Sequence, residues 1–138
     1  MSQWIVDASL ALGWFLKDEQ DRAYNLSVLA GLDRNDALVP FLWWYEVSNG
    51  LLMAHRRNRL SMQDMNEILA SLRALPILID PPDPAAVTGL PALAAQHNLT
   101  VYDAAYLDLA LRSGAPIATK DNALKRAMAA SGVSPVTP

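Results

Sequence analysis

The feature that most constrains this chain is an alternation of short, continuous apolar runs with longer stretches of helical periodicity. Runs at Trp4–Val6, Ala37–Val39, Ile77–Ile79 and Pro116–Thr119, with a weaker one at Val133–Thr137, have the length of strands. They are apolar at successive rather than alternate positions, which suits strands covered on both faces in a parallel sheet. Between them lie helical stretches at Leu10–Leu16, Glu19–Leu32, Leu42–Arg57, Met62–Leu75, Ala85–His97, Val101–Arg112 and Asn122–Ala130. Ser61-x-x-Asp64 resembles a capping box with Asp in place of Glu, and Gly114 followed by Pro116 closes the sixth helix. Pro91 falls inside the fifth stretch and predicts either a kink or two shorter helices. Pro81-Pro82-Asp83-Pro84 is a stiff connector rather than a domain boundary, because the alternation resumes beyond it. The expectation is one α/β domain over residues 1–138 with a mostly parallel central sheet.

Composition removes several chemistries. The absence of cysteine excludes disulfides, thiolate-bound zinc, iron–sulfur clusters and thiol nucleophiles. The two histidines, His55 and His97, are too far apart in sequence to form a metal-binding pair. A net charge of −3 supplies no global basic field, so a polyanionic substrate needs a local basic patch. The N-terminus lacks a basic n-region, and Asp7 interrupts the apolar stretch behind it. The longest apolar run, Ala37–Tyr45, has nine residues and contains Pro40, too short to span a bilayer. A soluble, cytoplasmic protein without membrane contact is expected.

Four acids stand at places where chemistry is commonly done. Asp7 follows the first strand and Asp121 the fourth, and either can be simply the N-cap of the next helix. Glu46 sits near the start of an apolar helix, in Phe41-Leu42-Trp43-Trp44-Tyr45-Glu46-Val47. Desolvating a carboxylate is costly, so Glu46 lies either on a narrow solvent stripe with Asn49 or in a pocket with a cation. Asp103 begins a helix behind Thr100, where Thr100-x-x-Asp103 can be another capping box; Asp108 is read as surface. Strand C-termini and the helix N-termini that follow them share one edge of a parallel sheet, so the four can converge on one cleft. Two carboxylates ~5 Å apart repel by roughly 3 kcal/mol at an effective dielectric near 20. Such a cluster requires a cation, and its hard oxygen donors select magnesium or manganese over zinc, with calcium also admissible.

These residues carry a family resemblance. Ile5-Val6-Asp7-Ala8-Ser9, Pro40 with Glu46-Val47-x-Asn49-x-Leu51, Leu99-Thr100-Val101-Tyr102-Asp103-Ala104-Ala105-Tyr106 and Ala118-Thr119-Lys120-Asp121-x-x-Leu124 occur in order. Together they resemble the PIN-domain nucleases, and within them the VapC-like toxins of toxin–antitoxin pairs, over nearly the whole chain. The resemblance implies an αβα sandwich with a short parallel sheet of five strands in the order 3-2-1-4-5. It implies a magnesium- or manganese-dependent endoribonuclease, with Asp7, Glu46, Asp103 and Asp121 holding one or two ions. Products then carry a 5′-phosphate and a 3′-hydroxyl. Ser9, Thr119 and Asn49 are the implied supporting residues.

The resemblance further implies an RNA substrate, a homodimer and a cognate antitoxin that crosses the active-site groove. Trp14, Trp43, Trp44 and Tyr45 are candidates to line that groove, or else to fill the core. Candidate RNA contacts are Lys120, Lys125 and Arg126 around the fourth acid. Arg56 and Arg57, in the cluster His55-Arg56-Arg57-Asn58-Arg59, are further candidates or else a solvated helix C-terminus. A haloacid-dehalogenase-type phosphohydrolase wants a second Asp two residues after the first, where Ser9 stands. The alternative of a different kind is a catalytically silent PIN-like module that works only through protein or RNA binding.

Overall fold

The computed structural model describes residues 2–17 and 22–138. Strand β1 (Ser2–Val6) leads through α1 (Ala8–Leu12) and α2 (Arg22–Gly31) to β2 (Asn35–Pro40). Then α3 (Trp43–Arg56) and α4 (Met62–Arg73) lead to β3 (Ile77–Asp80). The chain continues through α5 (Pro84–Val87), α6 (Leu90–His97) and α7 (Val101–Ser113) to β4 (Ile117–Ala118), and α8 (Asn122–Ser131) follows. The start of the second expected helix, Glu19–Asp21, lies outside the described residues. The first expected helix ends early, at Leu12 rather than Leu16. A Cβ on Gly13 would meet the Asn25 side chain at 2.1 Å, so α1 stops where α2 crosses it closely.

All strand pairs are parallel, in the order β3-β2-β1-β4. The fifth expected strand is reduced to one bridge, Ile117 with Pro135. Its two hydrogen bonds, Ile117 to Ser134 and Val136 to Ile117, use up the outer polar groups of Ile117, and β4 is only two residues long. Pro135 has no N–H, which also marks this position as a sheet edge. Of the two outcomes expected at Pro91, the division into two helices is found: α5 ends at Val87, and Pro91 sits in the first turn of α6, where its missing N–H is harmless. The Ser61–Asp64 capping box forms with both of its bonds, and Gly114 closes α7 at φ +76°.

Burial follows position in the sheet. Ile5, Val6, Ile117 and Ala118 are fully buried, as two-sided cover requires, whereas Leu78 and Ile79 of edge strand β3 are each 43% exposed. The order of the strands also decides where a ligand can sit. The chain moves from β1 through β2 to β3 in one direction, then returns past β1 to β4, so with right-handed crossovers the two sets of helices cover opposite faces. Next to β1, on the β4 side, the winding reverses. A crevice opens there at the carboxyl ends of the strands.

The two helices bordering this crevice, α1 and α3, approach closely at Gly50, where a Cβ would lie 2.3 Å from Leu12 Cδ1. Gly50→Val is expected to destabilise the fold by about 1–3 kcal/mol through overpacking, read as a lower urea midpoint at unchanged m-value. An unchanged midpoint would show that α1 and α3 have room to separate.

Candidate active site

Each of the four acids is delivered to the crevice by a local rule. Asp7 leaves β1, whose last turn of pairing is the bond from the Asp7 amide to the Ala118 carbonyl at 3.0 Å. It caps α1 by accepting from the Ser9 amide, and its Oδ2 accepts from Thr119 Oγ1 at 2.7 Å and Ser9 Oγ at 3.1 Å. Asp121 caps α8 through the Ala123 amide, and its own amide donates to Thr119 Oγ1 at 3.1 Å. Thr100 caps α7 by accepting from the Asp103 amide, which sets Asp103 in the first turn. Glu46 occupies the first turn of α3. The caps considered for Asp7 and Asp121 therefore exist, and they coexist with the convergence: all four acids line one cavity of about 290 Å³ together with Ala8, Ser9 and Leu12.

One residue of the site has no counterpart among the sequence candidates. Tyr106 is buried on α7, three residues after Asp103, and its hydroxyl donates to Glu46 Oε1 at 2.7 Å while accepting from the Ala8 amide at 3.3 Å. It thereby links the start of α1 to the first turn of α3. The usable signal is its spacing, since i and i+3 share a helix face, and a buried phenol seeks a partner.

The electrostatics are those of crowded, partly dehydrated carboxylates. Burial raises the Asp7 carboxyl above its usual range, aided by Asp121, against the lowering effect of the Thr119 and Ser9 bonds. Glu46 is raised by burial and by Asp7 and Asp103, although the Tyr106 bond lowers it. Asp103 is raised by burial, then by Asp121 and Asp7. Burial foremost, then the nearby Asp7 and Glu46, holds the Tyr106 phenol protonated, so it acts as a donor. These are oxygen donors whose charged forms are penalised together, the setting a hard divalent cation relieves. Among the described residues, no three acid or histidine side chains are already drawn into a closed ligand set.

The other candidates are distributed unevenly. Ser9 and Thr119 touch Asp7, whereas Asn49 is exposed on α3 and does not line the acid cavity. Lys120 adjoins Asp121, and Lys125 and Arg126 are exposed on α8. Arg56 and Arg57 lie at the far end of α3, about 15 Å along the helix from Glu46. Trp14 and Trp43 are core residues, which removes them from any groove, while Tyr45 is 68% exposed. Asp108 turns from the acids into an ion pair with Arg112 at 2.8 Å, which also binds Asp80.

Two outcomes follow. In Tyr106→Phe, Glu46 loses a bond that favours its charged form, so its carboxyl should titrate at higher pH in a carbon-detected NMR titration; an unmoved curve would remove the role given to Tyr106. Asp103 is raised on folding, so the folded state holds its proton more tightly than the unfolded one. The resulting penalty is absent below the usual carboxylate range and grows as pH rises through the raised value. Asp103→Asn should therefore stabilise the metal-free protein at pH 7, less in high salt, with the gain fading toward pH 4. Equal stabilities across that range by denaturant titration would contradict it.

The PIN domain family model matches residues 4–129. Among solved structures, the chain is similar to PAE2754 from Pyrobaculum aerophilum, at 25% identity and TM-score 0.62, over 91% of this chain and 79% of that one. It shares the fold of Mycobacterium tuberculosis VapC20, a sarcin-ricin loop cleaving toxin, at 12% identity and TM-score 0.73, over 98% and 99% of the two chains. It shares that of FitAcB from Neisseria gonorrhoeae at 17% identity and TM-score 0.62, over 100% and 98%. No curated protein matches by sequence. With the family model running from the strand before Asp7 to the last helix, the chain belongs to the PIN domain family.

Proposed function

We propose that this protein is a magnesium- or manganese-dependent endoribonuclease and the toxin of a toxin–antitoxin pair. The observation that carries the reading is the meeting of Asp7, Glu46, Asp103 and Asp121, from four separate segments, around one cavity. Support comes from the family, and from the fold shared with a toxin that cleaves the sarcin-ricin loop and with VapBC2 of Rickettsia felis, at 14% identity and TM-score 0.61 over 91% and 92% of the two chains.

In this reading Asp7 and Asp103 are the main ligands, with Glu46 and Asp121 completing the set. A divalent ion held by these acids would supply charge neutralisation and an activated water for phosphodiester hydrolysis. The protein's own part is to hold the acids still. Thr119 and Ser9 fix the Asp7 carboxylate, and Asp121 is held by the cap of α8. Tyr106 engages and orients Glu46, which would help hold the ion or orient the attacking water. As the family resemblance implies, the products would carry a 5′-phosphate and a 3′-hydroxyl. Lys120, Lys125 and Arg126 hold flanking phosphates, which an acidic pocket alone repels. Arg56, Arg57 and Asn49 are at most outer contacts. A homodimer and an antitoxin that covers the groove complete the proposal.

Purified protein freed of antitoxin should cut RNA with magnesium or manganese and stop with EDTA. Asp7→Asn or Asp103→Asn should lower the rate by roughly 10²-fold or more. Cleavage that ignores EDTA, or full activity in both variants, would sink the mechanism. Growth arrest on expression that vanishes with Asp7→Asn separates the enzyme from a silent binding module.

A further inference from the structure

Among the described residues, the exposed aromatic side chains are Phe41, Tyr45 and Tyr102, at 47%, 68% and 65%. None belongs to the core or to the half-buried residues packed on it. All three stand where α3 and α7 begin, and the first turns of those helices carry Glu46 and Asp103. Tyr45 directly precedes Glu46, and Tyr102 directly precedes Asp103. Successive side chains of a helix diverge by about 100°, so each tyrosine stands on the face next to its acid. The rings are also near one another. Phe41 and Tyr45 have centroids 5.8 Å apart, and Phe41 and Tyr102 line one cavity of about 480 Å³. An aromatic rim built from two helices therefore borders the acid cavity.

The chemistry selects what meets these rings. The cavity lined by Phe41 and Tyr102 also holds Asp80 and Asp108, both bonded to Arg112, and Asp83, the N-cap of α5. Among the described residues lining it, the one cation is thus already paired, and a backbone phosphate is repelled. A base is neutral and planar, and stacks on an exposed ring whatever its identity. Its face is open only when it is unpaired and unstacked, because in a duplex its neighbours cover it. We propose that Tyr45 and Tyr102, with Phe41, are substrate-positioning residues that stack unpaired bases beside the phosphate presented to the acids. The strand crosses the starts of α3 and α7 with its bases on the rings and its backbone turned to the acid cavity. That the strand is RNA rests on the ribonuclease reading above.

The test measures binding of labelled oligo(A) and oligo(U) to the full chain, as single strands and as their duplex, with calcium in place of magnesium. Single strands should bind more tightly than the duplex. Tyr102→Ala and Tyr45→Ala should each lower single-strand affinity, by roughly tenfold to hundredfold where a base is lost from the stack, and Tyr102→Phe should restore it. Duplex affinity should not respond. Equal affinity for strand and duplex would overturn the proposal, as would unchanged strand affinity in both alanine variants or no binding of either strand. Sedimentation of the same proteins tests the other occupant: self-association that disappears in Tyr102→Ala, with strand affinity intact, would assign the rings to a protein contact. If an alanine variant does not fold, the wild-type comparison of strand with duplex still decides. RNA cleavage by the wild type with magnesium, measured separately, divides the two claims. Cleavage with strand binding indifferent to the rings removes the base platform and leaves the enzyme; ring-dependent strand binding without cleavage does the reverse.

Discussion

A buried hydrogen bond from Thr119 to Asp7 joins the ends of two neighbouring strands, and the site depends on it. Asp7 is only 7% exposed, and a carboxylate so placed is costly unless its oxygens are engaged. Thr119 and Ser9 meet that need, and they do so at the point where the winding of the sheet reverses. The same threonine receives the Asp121 amide, so the geometry of one acid is coupled to that of another. Thr119 is short, β-branched and buried, and therefore has few rotamers in which to stray.

Around this anchor the fold sets acids against one another. Burial and mutual repulsion raise Asp7, Glu46 and Asp103 together. Such an arrangement costs stability, the pattern expected of the cation site proposed here. The protein limits the loss with hydrogen bonds that hold each carboxylate in place: Thr119 and Ser9 for Asp7, Tyr106 for Glu46, and the helix caps for the segments bearing Asp103 and Asp121. Beyond the acids, the positive charge that the proposed RNA substrate would need is local, at Lys120, Lys125 and Arg126, which is compatible with a net charge of −3.

Much of this was legible before the structure. The apolar runs located the strands, and Ser61-x-x-Asp64 and Gly114 marked helix ends, because these depend on neighbours in sequence. The fifth strand failed because a run of residues does not reveal how few pairing groups its neighbour offers, and β4 offers two residues. Trp14 and Trp43 were ambiguous for a related reason: an aromatic at helical spacing fits a groove or a core, and only packing decides. Asn49 shared a stripe with Glu46 in sequence, yet the stripe turns away from the acids within one turn.

What the sequence alone determined is local. It set the strand and helix periodicity, the caps at Thr100 and Asp121, and the order of four acids at element ends. Tertiary structure decided everything that depends on distant pairs. It brought Tyr106 to Glu46 across 60 positions, Thr119 to Asp7 across 112, and Tyr24 to Val136 across 112. The physical reason is that a cap is satisfied within one helical turn, so its residues can be read in a short window. A buried carboxylate or phenol must instead find its partner wherever the fold happens to leave one.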